Sequence, residues 1–306
     1  MMMTEPTRFA RLRGRLAHGV SLAKYTSWRT GGPADTLYIP ADRDDLAAFL
    51  RQLPEGEPVT PLGLGSNTLV RDAGVRGTVV MMHDSGAAIA MSDGLVYAQA
   101  GAASPKLARF AATHSLGEAE FLAGVPGTIG GALAMNAGCY GGETWRYVAR
   151  VEVLTRRGEL ALRTPADYNI GYRHVAPRDA LRRGEIFTAA WFRFPPGDGT
   201  AARTRIKELL ARRIASQPLS MPNAGSVFRN PPGDHAARLI ESCGLKGFAI
   251  GGARVSEMHA NFIVNPGGKA SAADIEALIL HVRETVESRT GVALVPEVRI
   301  LGEATR

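Results

Sequence analysis

Two stretches of backbone restrict this chain more than any other feature: "LGLGSNTLVRDAG" at 62–74 and "AGVPGTIGGALAMNAGCYGGE" at 123–143. Glycine loses more conformational freedom on folding than any other residue. Runs this dense therefore imply positive φ angles or backbone held close against something. Successive bare N–H groups are good donors to anions, and Ser66, Asn67 and Thr128 add side-chain donors of the kind that hold a diphosphate. Tight turns with close helix packing are the competing reading. The common phosphate fingerprints are missing: there is no GxxxxGK[ST], and Gly63-x-Gly65 lacks the third glycine of a GxGxxG.

At 306 residues and 45% hydrophobic content the chain can fill the cores of two or three domains. No apolar run approaches the ~18 residues of a membrane span. The start, "MMMTEPTRFARLRGRL", has charge but no apolar region for a signal peptide, so a cytoplasmic protein with no membrane partner is expected. Cys139 and Cys243 lie far apart and match no metal-ligand spacing, which suits two thiols in a reducing compartment and no metal. The formal charge of +7 and pI near 9.7 suit an anionic partner. Its positive charges are spread over Arg-rich helix faces such as "TRIKELLARR", and no zinc finger or RNA-binding aromatic motif is present. A small anionic ligand is therefore expected rather than nucleic acid.

Periodicity gives an α+β chain. "ADTLYIP", "PVTPLGLG", "GTVVMM" and "LVYAQAG" read as strands, and "DRDDLAAFLRQL" as a helix with Asp in its first turn. "SPKLARFAATHS" reads as a helix with Ser104 as N-cap and Pro105 at its first position. "VARVEVLTRRGELALRT" and "EIFTAAWFRF" have strand character, and a composition shift at "PPGDG" places a boundary near residue 197. Beyond it, a helix over 271–290 opens on a capping box of Ser271 and Asp274. It lines one face with Ile275, Leu278, Ile279, Val282 and Val286, and it ends at Gly291.

Six segments then occur in register: "YTSWRTGGPAD", "GLGSNTLVRDAG", "FLAGVPGTIGGALAMNAGCYGGE", "NAGSVFRNP", "IGGARVSEMHANFIVN" and "PEVRILG". Together, from about residue 21 to 302, they closely resemble the UDP-N-acetylenolpyruvoylglucosamine reductase family. The resemblance implies a vanillyl-alcohol-oxidase-type (PCMH) FAD-binding fold of two subdomains, about 21–82 and 83–197, after a basic extension over 1–20. It also implies an α+β substrate-binding domain over 198–306. The protein is expected to be a monomer. FAD would be held at Gly63, Gly65, Ser66, Asn67, Gly127, Thr128, Gly130, Gly131 and Gly138. Neither glycine segment contains a histidine to tether the cofactor, so non-covalent FAD is expected, with NADPH as co-substrate.

The reaction implied is reduction of the enolpyruvyl ether on UDP-N-acetylglucosamine to the lactyl ether of UDP-N-acetylmuramate. Hydride reaching the terminal vinyl carbon builds negative charge on the carboxylate side, so the site needs charge-stabilising groups and a proton donor. By resemblance, Ser226 is that donor, Arg173 in "GYRH" forks onto the substrate carboxylate, and Glu297 in "LVPEVRIL" polarises or protonates it. The family usually has a serine two positions after this arginine, where Val175 stands here. Glu297 and Arg299 share a strand face, so a structural ion pair competes with the catalytic role. Tyr172, Arg229, Asn230, His259 and Asn261 are expected to line the substrate, His259 alternatively being a packing residue. Between "WFRF" and "RTRIKELL" there is no room for the inserted tyrosine loop of some family members, so a shorter type is expected, with Arg212 or Arg213 near the diphosphate. The alternatives are another flavin oxidase on the same fold and a non-enzymatic nucleic-acid binder, which would be colourless and salt-sensitive.

Overall fold

A computed structural model describes Phe9 and residues 11–303. The chain forms two compact units that interleave along the sequence. The first takes residues up to His18, Thr36–Gly63 and Gly77–Leu209; the second takes Gly19–Asp35, Leu64–Arg76 and the chain from Leu210 onward. Residues 1–8 and 10 of the basic start lie outside the described residues.

In the first unit, helix α1 (Arg43–Gln52) begins where the Asp42 side chain accepts the Asp45 N–H, as the acidic first turn leads one to expect. Asp45 is itself buried. Its carboxylate accepts the backbone N–H groups of Arg13 at 2.7 Å and Ala41 at 2.9 Å, and the Tyr38 hydroxyl at 2.5 Å. Tyr38 stacks on Phe49 with ring centroids 3.9 Å apart, and Leu46, Leu50, Val80, Leu154 and Ile186 complete this core. Strand Val59–Leu62 runs parallel to Val75–Met81, in register from Val59↔Thr78 to Leu62↔Met81.

A five-stranded antiparallel sheet follows the order Leu160–Arg163, Val148–Leu154, Ile186–Phe192, Leu95–Gln99, Ile89–Ser92. Helix α2 (Ser104–Thr113) departs from expectation by one residue: Ala103 is the N-cap and the Ser104 hydroxyl caps nothing. The cause is tertiary. Ala103 bridges to Thr128 and the Ser104 N–H donates to the Gly127 carbonyl, so position 103 is drawn into extended backbone and the helix opens early. Helix α3 (Ile129–Met135) is capped by Thr128, and helix α4 (Gly199–Ser216) follows the sheet through residues 193–198 alone.

The second unit recruits two segments from far upstream. Trp28 is fully buried among Phe228, Ile240, Ile279 and Val298, and its indole N–H donates to the Ile263 carbonyl at 2.8 Å. Asn265, also fully buried, returns a hydrogen bond to the Trp28 carbonyl. Strand Thr68–Val70 pairs in parallel with Arg299–Leu301. The following "RD" ties this segment to the long C-terminal helix: Arg71 forks onto Glu276 at 2.7 and 2.9 Å, and the Asp72 carboxylate accepts the N–H groups of Ala272 and Ala273. After helix α5 (Ala236–Ser242) comes that helix, α6 (Ala272–Thr290), with the expected Ser271–Asp274 capping box, the expected buried face and Gly291 at φ 74° as its C-cap. These tertiary ties explain why the compact units do not follow the linear boundary expected near residue 197. The last crossing between units falls at 209/210, within α4, and the segments 19–35 and 64–76 belong with the C-terminal part. Among the described residues no helix is long and apolar enough to cross a membrane.

Two stability tests follow. Burial pushes the Asp45 carboxyl up, but its hydrogen bonds from Tyr38, Ala41 and Arg13 outweigh burial and hold it below the ordinary carboxylate value. Because the folded-state pKa is depressed, its contribution is present above about pH 4 and is lost as pH falls through the folded value. Asp45→Asn should cost about 1.5–3 kcal/mol at pH 7, with the difference from wild type in urea unfolding shrinking towards acid pH. Trp28→Phe removes the indole donor to the Ile263 carbonyl in the core and should lower stability by about 1–3 kcal/mol in the same titration at any pH between 5 and 8.

Candidate active site

Ser226, Asn261 and Glu297 of the second unit are joined through the main chain of one residue, Val227. The loop before it is built by Asn223, whose side chain donates to the carbonyls of Pro218 and Met221 and accepts the Gly225 N–H. Gly225 takes φ 75°, and Ser226 follows, half-buried. Immediately beyond, the Val227 N–H donates to the Asn261 carbonyl at 2.9 Å, and its C=O accepts the Glu297 N–H at 2.7 Å. Phe228 bridges to Pro296, and the Arg229 N–H donates to Val295. Ser226 and Glu297 are thus held in a fixed backbone relation, although 71 residues separate them in the chain.

Asn67 belongs to the same network: its side chain donates to the Glu297 carbonyl at 3.2 Å, and its own carbonyl accepts the Arg299 N–H at 3.0 Å. Gly65, two residues earlier, takes φ 60° with its carbonyl accepting from the Ser27 N–H and hydroxyl. A Cβ there would lie 2.2 Å from the Tyr25 carbonyl oxygen, so only glycine lets this turn close on the "YTSW" segment.

The remaining predicted residues of this unit divide by what they touch. Asn261, expected to line the substrate, is only 3% exposed. Its carboxamide accepts the Phe228 N–H at 2.9 Å and donates to the Phe228 carbonyl at 2.8 Å, so it acts as a clamp beneath the Ser226 segment. Asn230 is exposed, and its side-chain oxygen accepts the first N–H of α5 at Ala236. His259 packs edge-on to Phe262, and its Nδ1 accepts the Asn261 N–H at 3.3 Å. Burial holds this imidazole below its ordinary pKa, which keeps it neutral at pH 7 with its proton on Nε2. The Arg229 Nε is buried and makes no hydrogen bond within the protein. Arg212 is exposed on α4, and Arg213 donates to Gln217.

In the first unit the second glycine segment meets the first: a Cβ on Gly63 would lie 2.7 Å from the Thr128 hydroxyl. Thr128 is buried and accepts the Gly131 N–H. The N–H groups of Ile129 and Gly130 donate to the carbonyls of Ala102 and Ala100, so Gly130 serves close packing against Ala100 rather than anion binding. Gly138 is likewise a packing glycine, since a Cβ would collide with the Gly142 carbonyl. Gly131 is exposed, and Gly127 takes φ 122°. Gly63 beside Thr128, and the absence of side chains at Gly127 and Gly131, leave room for a flat phosphate-bearing cofactor such as FAD.

Arg173 lies at the tip of the hairpin Tyr168–Gly171/His174–Pro177, with Tyr172 exposed beside it. Its φ is 53°, left-handed backbone that costs a non-glycine residue about 1–2 kcal/mol and that clusters at functional sites. The guanidinium donates to the carbonyls of Gly138 at 2.6 Å and Asn136 at 3.4 Å and lies 5.3 Å from the Tyr172 ring centre. Val175 pairs across the hairpin with Ile170, so the hairpin forms with valine at that position. Asn136 was not among the expected site residues. Its signal in the sequence was an asparagine placed directly after an apolar helix and before Ala-Gly, a C-cap pattern that tolerates left-handed backbone.

Residues 34–162 match the model of an FAD binding domain, and residues 217–301 match that of the UDP-N-acetylenolpyruvoylglucosamine reductase C-terminal domain. The protein of that reductase name from Nitrosospira multiformis is 57% identical over 97% of this chain and 92% of its own length. The one from Thiobacillus denitrificans is 55% identical over 95% and 94%. A crystal structure of UDP-N-acetylenolpyruvylglucosamine reductase from Thermus caldophilus superposes with a TM-score of 0.79 at 32% identity, covering 95% of this chain and all of that one. With its two glycine segments, its Ser226–Glu297 network and this identity along nearly its whole length, the chain belongs to the UDP-N-acetylenolpyruvoylglucosamine reductase family.

Proposed function

We propose that this chain reduces UDP-N-acetylglucosamine enolpyruvate to UDP-N-acetylmuramate, a step in making peptidoglycan precursors, with NADPH as hydride donor and FAD as carrier. The observation that carries this reading is the 57% identity to a named reductase of this activity over 97% of the chain. Gly63, Gly65, Ser66, Asn67, Gly127, Thr128 and Gly131 are the residues we assign to FAD, with Gly130 and Gly138 shaping the backbone behind them. When bound and reduced by NADPH, FAD supplies the hydride. We place the reaction in the cytoplasm because both of its co-substrates are nucleotides of that compartment.

The protein's own task is to hold the substrate and manage charge and a proton. Arg173, presented by a strained hairpin tip and oriented by two carbonyls, offers a planar fork to the substrate carboxylate. Charge that builds on that carboxylate as the vinyl group is reduced is then met by a fixed cation, which needs no reorganisation during the step. Ser226 donates the proton to the carbon adjacent to the carboxylate. A serine hydroxyl is a weak acid, so it serves only a strongly basic, carbanion-like centre, and its position must be fixed. The Val227 main chain supplies that fixity and bonds to the Glu297 backbone; the Glu297 carboxyl polarises or protonates the substrate carboxylate. Arg229, whose Nε is buried without a hydrogen bond, is assigned to the substrate's anionic part. Tyr172 and Asn230 line its path; His259, held neutral, adds an N–H donor without charge.

The two half-reactions separate these roles. In anaerobic stopped flow, NADPH should bleach the flavin of Ser226→Ala at the wild-type rate, whereas recovery of colour on adding the enolpyruvyl substrate should slow by roughly 10²–10⁴-fold. Equal recovery in variant and wild type would remove Ser226 from proton transfer.

A further inference from the structure

Asn136 is 1% exposed, has φ 43° and ψ 51°, and ends helix α3. Every polar group on its side chain is used. Nδ2 donates to the Gly171 carbonyl at 3.1 Å and to Glu143 Oε2 at 3.0 Å, and Oδ1 accepts the Trp145 N–H at 3.0 Å. Its own carbonyl accepts from Arg173 Nη1, and Gly138, two residues on, accepts from Nη2. One residue therefore controls both ends of Arg173: the Gly171 carbonyl marks where the hairpin tip begins, and the 136–138 carbonyls mark where the guanidinium points. Glycine at 136 would satisfy the left-handed backbone equally well, so the backbone alone does not call for the carboxamide. A helix C-cap does not require three side-chain hydrogen bonds to two other segments either.

From this we infer that Asn136 is a positioning residue for substrate reduction: its carboxamide sets the place and plane of the Arg173 fork and acts through Arg173 alone. The inference rests on the reading of Arg173 as the group that holds the substrate carboxylate. A displacement of about 1 Å at a reacting group can lower rates by roughly 10²-fold, so loss of the two donor bonds should be visible without unfolding.

The sharpest variant is Asn136→Asp, which tolerates the left-handed backbone and keeps the acceptor for the Trp145 N–H. It loses both donors and places a carboxylate beside Glu143. Asn136→Gly removes the side chain but keeps the backbone. In flavin-loaded, full-length protein, each variant should leave the flavin spectrum and the NADPH half-reaction within about twofold of wild type. Each should slow recovery of flavin colour by the enolpyruvyl substrate ten- to a hundredfold and weaken substrate binding to the oxidised enzyme, followed as a flavin spectral shift. The deciding readout is a double-mutant cycle: in an Arg173→Ala background, Asn136→Asp should cause no further slowing. If the two losses multiply, Asn136 is merely structural and the inference is overturned. If both Asn136 variants match wild type while Arg173→Ala is slow, the inference fails and the reading of Arg173 survives. If Arg173→Ala is itself as fast as wild type, that reading fails first and takes the inference with it. If Asn136→Asp does not fold with flavin, Asn136→Gly in the same cycle decides.

Discussion

The main chain of Val227 carries the second unit's candidate site. Its N–H is bonded to the Asn261 carbonyl and its C=O to the Glu297 N–H, so a serine on one side and a carboxylate 71 residues away share a single rigid reference. Asn261 clamps the next residue from beneath with both ends of its carboxamide, and Asn67 fastens Glu297 through the latter's carbonyl. No bond in this set is exceptional. Their effect comes from closure: four chain segments meet and each main-chain polar group named here has a partner, which makes a local shift of any one costly.

The first unit uses the same device. Asn136, buried and fully bonded, links the end of α3, the Arg173 hairpin and the Glu143–Trp145 segment. In both units an asparagine stands behind the residue that would meet substrate. Its amide supplies a donor and an acceptor in one plane, which lets it replace a piece of β-ladder where the chain has no strand to offer. The left-handed backbone of Arg173 and Asn136 adds strain that this bonding offsets.

What the sequence disclosed was local. The α6 capping box, its apolar face and the Gly291 cap are legible because every contact involved lies within a few residues. Six ordered motifs likewise carried the family and its candidate residues. What stayed hidden was non-local. Ser104 follows the N-cap because residue 128 pulls on residue 103, and no pattern near 104 reports that. Trp28 and the 64–76 segment belong with the C-terminal part because of a parallel pairing and an indole hydrogen bond spanning more than 200 residues. Asn261 reads as a polar residue in a polar motif, and only its distance to the Phe228 backbone gives it a buried task. Several glycines of the second segment pack against neighbouring backbone instead of offering N–H groups, a distinction that sequence spacing does not encode.

Electrons from NADPH should leave this protein in a UDP-sugar and not in oxygen. The most direct measurement is a balance under strict anaerobiosis: NADPH consumed against UDP-N-acetylglucosamine enolpyruvate consumed, with the product weighed by mass spectrometry. One NADPH should be consumed for each UDP-sugar, and the product should be heavier by two hydrogens. An unchanged UDP-sugar, with NADPH oxidised only once oxygen is admitted and peroxide formed, would contradict the reductase reading and make this chain an oxidase on the same fold.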